Sequence, residues 1–231
     1  MKLSITFTIL LFTFYFLLSA VIFAQAAPEF LVSWRAVGYV PPDYQGKILP
    51  NKNSRVEMGF DLIAQNKIAD LSRYNISWFL GSNFLASGIG LKTFSLNLNN
   101  SQNGLIRITV SNYNGSDLDH HFLLPLAEPE VIIDTKTPLE TLRNQIHLAL
   151  KNYLFEARPF FFNVRNLDEL RFNWRINNAL VSGNPQNPEF LELNLTSQGT
   201  PEESELNVSV GINNPANILE LGSRAMKFVV K

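Results

Sequence analysis

The feature that most limits what this chain can become is an internal repeat built around tryptophan. Tyr74-Asn75-Ile76-Ser77-Trp78 is followed by Asn83-Phe84-Leu85-Ala86-Ser87-Gly88, and Leu170-Arg171-Phe172-Asn173-Trp174 is followed by Asn178-Ala179-Leu180-Val181-Ser182-Gly183. Leu96-Asn97-Leu98 then matches Leu193-Asn194-Leu195, and Ile106-Arg107-Ile108-Thr109-Val110 matches Leu206-Asn207-Val208-Ser209-Val210. The openings correspond as well: Pro28-Glu29-Phe30 and Pro129-Glu130-Val131 each lead into a short apolar run. The offset is 96 residues at the tryptophans and 100 at the closing segments, so the insertions are small and fall in loops. Two similar units of about 100 residues each are implied.

Most of the repeated segments alternate apolar and polar residues, the period of a half-buried strand. Ile106, Ile108 and Val110 share one face while Arg107 and Thr109 share the other. Leu206, Val208 and Val210 do the same against Asn207 and Ser209. Asn114-Gly115 lies between two such runs and reads as a tight hairpin turn. Short strands at this spacing, punctuated by Gly, Asn and Pro, indicate a β-sandwich. Trp78 and Trp174 sit mid-strand and are expected between the sheets of their units. One segment breaks the pattern. Thr137-Pro138-Leu139-Glu140 has the form of a capping box with proline at the first helical position. Leu139, Leu142, Ile146 and Leu150 follow at helical spacing. This predicts a helix from Pro138 to about His147, before a strand at Tyr153–Ala157. The expected fold is therefore all-β: two tandem immunoglobulin-like β-sandwiches, residues 27–127 and 128–231, with a short helix inserted near the start of the second.

Residues 1–26 stand apart. Lys2 is the only charge before Glu29, an apolar run extends from Leu3 to Ala24, and Ala24-Gln25-Ala26 closes it with a small-x-small cleavage pattern. A secretory signal is expected, with Ala27 as the mature N-terminus. If retained, the same run would be a membrane anchor and the chain's one membrane contact. Both readings place the remainder outside the cytoplasm, as an extracellular or cell-surface protein. The 231 residues include no cysteine, which excludes disulfides, thiolate metal sites, a cysteine nucleophile and a lipobox. An exported protein without disulfides must be held by packing alone. With 19 basic against 20 acidic residues the net charge is −1, and no basic face for nucleic acid is expected.

Asn75-x-x-Trp78, Ser87-Gly88 and the closing strand Thr109-Val110-Ser111-Asn112 resemble PKD-type immunoglobulin-like domains. Trp34-x-x-x-x-Tyr39-Val40-Pro41-Pro42-x-Tyr44-x-Gly46-Lys47 and Ala157-x-Pro159-Phe160-Phe161-Phe162 are similar to segments of exported Ig-like-repeat proteins of candidate-phyla bacteria. The resemblance spans most of residues 28–231. It implies a surface or secreted role and no catalysis, and no functional residue carries over from it.

Several polar groupings invite a functional reading. Asn112, Asn114, Asp117, Asp119, His120 and His121 form an oxygen-rich cluster, and such clusters near a turn bind calcium. Adjacent strand residues point to opposite faces, however, so His120 and His121 cannot share one ion. His147 is accounted for by the C-terminus of the expected helix. Asp168-Glu169 and Glu202-Glu203 are paired carboxylates, the equipment of glycoside hydrolysis, but both read as solvated turns. Pro41-Pro42-Asp43-Tyr44 matches a WW-ligand string and reads better as a polyproline loop carrying Tyr39 and Tyr44 against the sandwich. Asn75, Asn99, Asn114, Asn194 and Asn207 head N-x-S/T strings, which matter only in a glycosylating host. No catalytic, cofactor-binding or metal residue is nominated. The sequence reading is an exported binding, adhesion or spacer protein, partnered by an envelope protein or polysaccharide. The alternative is an accessory carbohydrate- or calcium-binding module. Exposed aromatics on one sheet face would favour sugar, and a flat polar face the spacer.

Overall fold

The computed structural model describes residues 27–99, 104–142, 145–149, 151–195 and 204–230. The expected signal, residues 1–26, and the Glu202-Glu203 pair lie outside the described residues. The first unit comprises β1 (Glu29–Ala36), β2 (Arg55–Ala64), β3 (Lys67–Ile68), β4 (Asn75–Leu80), β5 (Asn83–Ile89), β6 (Thr93–Asn97), β7 (Leu105–Tyr113) and β8 (Ser116–Leu123). In one sheet β2 pairs with β1 along one edge and with β6 and β3 along the other. The facing sheet has the order β5-β4-β7-β8 and is antiparallel throughout.

The second unit repeats this order. It comprises β9 (Glu130–Thr135), β10 (Glu140–Leu142), β11 (Gln145–Leu148), β12 (Asn152–Phe160), β13 (Arg171–Ile176), β14 (Ala179–Val181), β15 (Phe190–Asn194), β16 (Ser204–Asn214) and β17 (Asn217–Val230). The sheet β15-β12-β9 reproduces β6-β2-β1, and β14-β13-β16-β17 reproduces β5-β4-β7-β8. Non-sequential neighbours in two antiparallel sheets are the mark of an immunoglobulin-like, fibronectin-like sandwich.

The alternation of each strand decides what fills the space between the sheets. Val56, Met58, Phe60 and Leu62 of β2 face Ile76 and Trp78 of β4 and Ile106, Ile108 and Val110 of β7, all buried. Tyr153, Phe155 and Ala157 of β12 face Trp174 of β13 and Val208, Val210 and Ile212 of β16. Trp78 and Trp174 are 0% and 1% exposed, the largest buried side chains of their clusters. Each indole also meets the same kind of acceptor: Trp78 Nε1–H donates to the Leu91 carbonyl at 2.9 Å, and Trp174 Nε1–H to the Pro188 carbonyl at 3.0 Å. The repeat therefore extends to the hydrogen bond that fixes the ring, as expected for a buried indole. The Asn114-Gly115 turn closes β7 on β8 with φ of 51° and 92°, left-handed values that asparagine and glycine accept more readily than other residues.

The expected helix at Pro138–His147 is not formed. Glu140–Leu142 and Gln145–Leu148 are strands, paired antiparallel, and β11 pairs in parallel with the end of β17 through His147–Val229 and Leu148–Val230. The capping threonine is spent elsewhere: Thr137 Oγ1 accepts the Leu154 N–H of β12 at 3.3 Å. The helical spacing loses to tertiary demand. As a strand, β11 covers an edge of β17 that would be left unpaired, and it buries Leu148 completely in the core.

Candidate functional site

The two segments that carry the family resemblance meet at the joint between the units. Residues 37–54, the loop from β1 to β2, lie against the turn after β12 and the hairpin joining β16 to β17. Tyr39 makes a two-way backbone bridge with the second unit: its N–H donates to the Phe162 carbonyl at 2.7 Å, and its carbonyl accepts the Phe161 N–H at 2.8 Å. Gly38 permits the approach, since a Cβ there would lie 3.2 Å from the Phe162 oxygen. Tyr44 sits edge-on to Phe160 and Phe161, at centroid distances of 5.7 and 5.9 Å. The polyproline loop thus packs, as its aromatics required, but against the neighbouring sandwich. Asp43 pairs with Arg158, and Lys52 with Glu128 at 2.6 Å. Burial, then Glu189 and Glu156, raises the Tyr39 hydroxyl above its ordinary pKa.

Beneath these contacts lies a polar cluster that the sequence did not disclose. Glu220 is 2% exposed. Its Oε1 accepts from Asn51 Nδ2 at 2.6 Å and from the Asn163 backbone N–H, and its Oε2 accepts from Asn214 Nδ2 at 2.7 Å. Asn51 Nδ2 also reaches the Phe161 carbonyl at 2.8 Å, and Asn163 Nδ2 donates to Asn51 Oδ1 at 2.8 Å. Ser54 Oγ closes the set on Asn163 Oδ1 at 2.7 Å. Phe161 holds a left-handed φ of 62°, a costly conformation for a bulky residue, and it is this residue whose carbonyl Asn51 holds. Every carboxylate oxygen faces an N–H donor, so the cluster behaves as a lock between loops.

The other polar groupings are dispersed. In the Asn112–His121 hairpin, Asp117 Oδ1 accepts the Asn112 N–H at 2.8 Å, and Asp119 accepts from Thr109 Oγ1 at 2.5 Å. His120 points inward and stacks on Phe30 at 4.8 Å, while His121 points outward. Burial, then the neighbouring His121, lowers the His120 pKa below its ordinary value. His147 is buried in β11, a strand flanked by β10 and β17, and not at a helix end. Glu169 closes a short 3-10 turn, its Oε1 accepting the N–H groups of Arg165 and Asn166 at 2.9 Å. Asp168 lies in the same turn. Asn75 and Asn207 lie in β4 and β16, and Asn194 ends β15.

The outer sheet faces of the first unit differ. Over β1-β2-β6, Ser33, Gly59, Thr93 and Ser95 line an open, shallow depression of about 550 Å³ flanked by the Arg35–Glu57 pair. Over β5-β4-β7-β8, Phe84, Phe79, Arg107 and His121 form one cross-strand row. The Arg107 guanidinium lies 3.7 Å over the Phe79 ring, and Phe84 meets that ring at 72°. A stacking sugar needs an open aromatic plane; the Phe79 plane is already covered by a cation.

No family model matches this sequence, and no curated protein matches it. Solved structures give distant matches. The three N-terminal domains of the bacteriophage RB49 Highly Immunogenic Outer Capsid protein (Hoc) match with a TM-score of 0.44 and 12% identity, covering 87% of this chain and 59% of that one. This chain thus spans about three fifths of that structure's length. The Clostridium thermocellum CbhA fibronectin(III)-like modules match with a TM-score of 0.27 and 9% identity, over 87% of this chain and 93% of theirs.

Proposed function

We propose that this chain is an exported, non-catalytic protein in which two PKD-type, immunoglobulin-like modules, residues 27–127 and 128–231, act as a stiff spacer at the cell surface. The partner it presents itself to is an envelope protein or polysaccharide. The observation that carries the spacer reading is the joint. A flexible tether needs few contacts between domains, whereas here a loop of one unit is bridged, stacked and hydrogen-bonded onto the end of β12 with its following turn and onto the start of β17. Export rests on Lys2, the apolar run and Ala24-Gln25-Ala26. The accessory sugar module is the weaker reading, because Arg107 occupies the Phe79 plane.

Two measurements test this. Because the chain has no cysteine, Ser95→Cys with Lys227→Cys gives one spin-label pair, one label on each unit. A stiff spacer gives a single narrow distance distribution in pulsed electron–electron resonance. A broad distribution defeats the spacer reading. Mass spectrometry of the envelope or secreted fraction is expected to find Ala27 as the first residue, and a cytosolic protein beginning at Met1 overturns export.

A further inference from the structure

We infer that the outer face of β14-β13-β16-β17 binds an anionic polysaccharide, a linear polymer whose sugars carry carboxylate or sulfate groups. The inference deepens the proposal above by choosing between its two classes of envelope partner, and for that choice it rests on export. A net charge of −1 hides an uneven distribution. On β13 the inward set is Phe172, Trp174 and Ile176, so Arg171, Asn173 and Arg175 point outward. Ser209 of β16 lies opposite both Arg175 and Ala225, and Asn207 lies opposite Lys227, which puts Lys227 of β17 on the same side. Arg171 and Arg175 are about 13 Å apart along their strand, and Lys227 is about 12 Å from Arg175, two strands over and two residues on. All three are exposed, and none enters an ion pair among the described residues. Arg175 donates once, from Nη1 to the Asn178 carbonyl at 3.2 Å. Glu205, far from Arg171 at the start of β16, is the one acid on the outer side of these four strands. Beside the opposite sheet of the same unit the cations are paired, Lys136 with Glu156 at 2.6 Å and Arg158 with Asp134 at 3.8 Å. The matching face of the first unit sets Arg107 against Asp117 and Asp119. An unpaired positive face is therefore not a property of the scaffold.

A second observation lies in the middle of the face. Gly211 stands mid-strand in β16, between Asn173 of β13 and Ser223 of β17. Glycine inside a strand serves a bulge, a left-handed backbone or a close approach. Here the register is regular, φ is not left-handed, and a Cβ would meet nothing within 4 Å. Nothing within the chain requires this residue to be glycine. It leaves a shallow trough between the rows of Arg171 and Arg175, open to a ligand lying flat on the backbone. The occupant follows from chemistry. The cations are too far apart for one small anion, so the ligand is a polymer with repeated charge. A guanidinium fork matches the paired oxygens of such groups. Between the cations, Asn173, Ser209 and Asn213 offer amides and a hydroxyl to sugar hydroxyls. No aromatic side chain lies on the outer side of these strands, so unstacked bases find no platform. The exposed Leu180 and Leu221 stand on the two outermost of the four strands, which denies a protein partner the apolar centre its interface needs. Charge carries the contact, and no open aromatic plane is required.

Biolayer interferometry of the protein expressed from its full sequence tests this on immobilised polygalacturonate, dextran sulfate, neutral dextran and a DNA duplex. Binding to a charged polysaccharide is expected at 50 mM salt, at least tenfold weaker at 200 mM, and absent on neutral dextran. Arg171→Glu with Arg175→Glu is expected to weaken it at least tenfold. Lys67→Glu with Arg73→Glu makes the same change in net charge on exposed residues of the first unit and is expected to leave binding within twofold. Two further variants keep contact apart from folding. Glu205→Gln removes the one acid of the face and is expected to tighten binding about twofold. Gly211→Val fills the trough with a good strand former, so it should raise the unfolding midpoint while weakening binding at least fivefold. No binding to either charged polysaccharide overturns the inference. So do equal losses in the two double variants, which reduce the effect to net charge, and tighter binding to the DNA duplex than to both polysaccharides, which gives the face to nucleic acid. The spacer and export readings stand or fall separately, on the label distances and on Ala27.

Discussion

Replacing Trp78 or Trp174 by alanine lowers the free energy of unfolding by about 3–5 kcal/mol at each site. Both rings are fully buried, so truncation leaves a cavity that the surrounding strands fill only in part. The loss has a second component. Trp78 holds the Leu91 carbonyl and Trp174 the Pro188 carbonyl, and the alanine variant leaves each acceptor without its indole donor. A phenylalanine at either position separates the two. It refills most of the volume and keeps the contacts of Trp78 with Phe60 and Phe94, but it leaves the carbonyl without the indole, for an expected cost of about 1–3 kcal/mol. Urea or guanidinium titration of the two series reads this directly. A loss below 1 kcal/mol for both alanine variants would remove these residues from the centre of their sandwiches.

That these tryptophans match was legible from the sequence because a strand buried on one face has a period of two, and a large aromatic at mid-strand has only one place to go. The hairpin at Asn114-Gly115 was legible for a similar reason: few dipeptides accept its backbone conformation. The helix expected at Pro138–His147 has only local features in its favour. A capping box and a helical stripe are properties of one segment, while the open edge of β17 that claimed His147 and Leu148 belongs to a strand some 80 residues away. The joint was hidden for the same physical reason. Asn51, Asn163, Asn214 and Glu220 are spread along the chain; Asn51 and Asn163 lie in loop or turn, where a polar residue needs no explanation, and Asn214 is the last residue of β16, beside its turn. Only at Glu220 does the sequence run against the structure. In the stretch Ile218-Leu219-Glu220-Leu221 the three apolar residues are 80%, 66% and 61% exposed, and the carboxyl is buried. Such an inversion breaks local consistency and marks a place where some other demand is being met.

Removing that carboxyl is the test of what the demand is. Glu220→Ala leaves Asn51 Nδ2, Asn214 Nδ2 and the Asn163 N–H facing a void, and unpaired buried donors of this kind cost about 1–3 kcal/mol each. Allowing for water entering at the edge of the joint, the expected loss is about 3–5 kcal/mol. It should fall on the coupling between units and spare the sandwiches, whose cores lie elsewhere. Thermal unfolding, a single transition while the joint holds the units together, should therefore split into two. The distance distribution between labels at residues 95 and 227 should broaden at the same time. Glu220→Gln gives the intermediate case. Its amide oxygen can keep Asn51 and Asn163, but its amide nitrogen meets the Asn214 Nδ2 donor with another donor, so one bond is lost instead of three. A graded response, with glutamine between glutamate and alanine in both assays, identifies the hydrogen bonds themselves as the lock. Equal and undiminished coupling in all three proteins would mean that the backbone bridge from Tyr39 to Phe162 and the stacking of Tyr44 suffice without it.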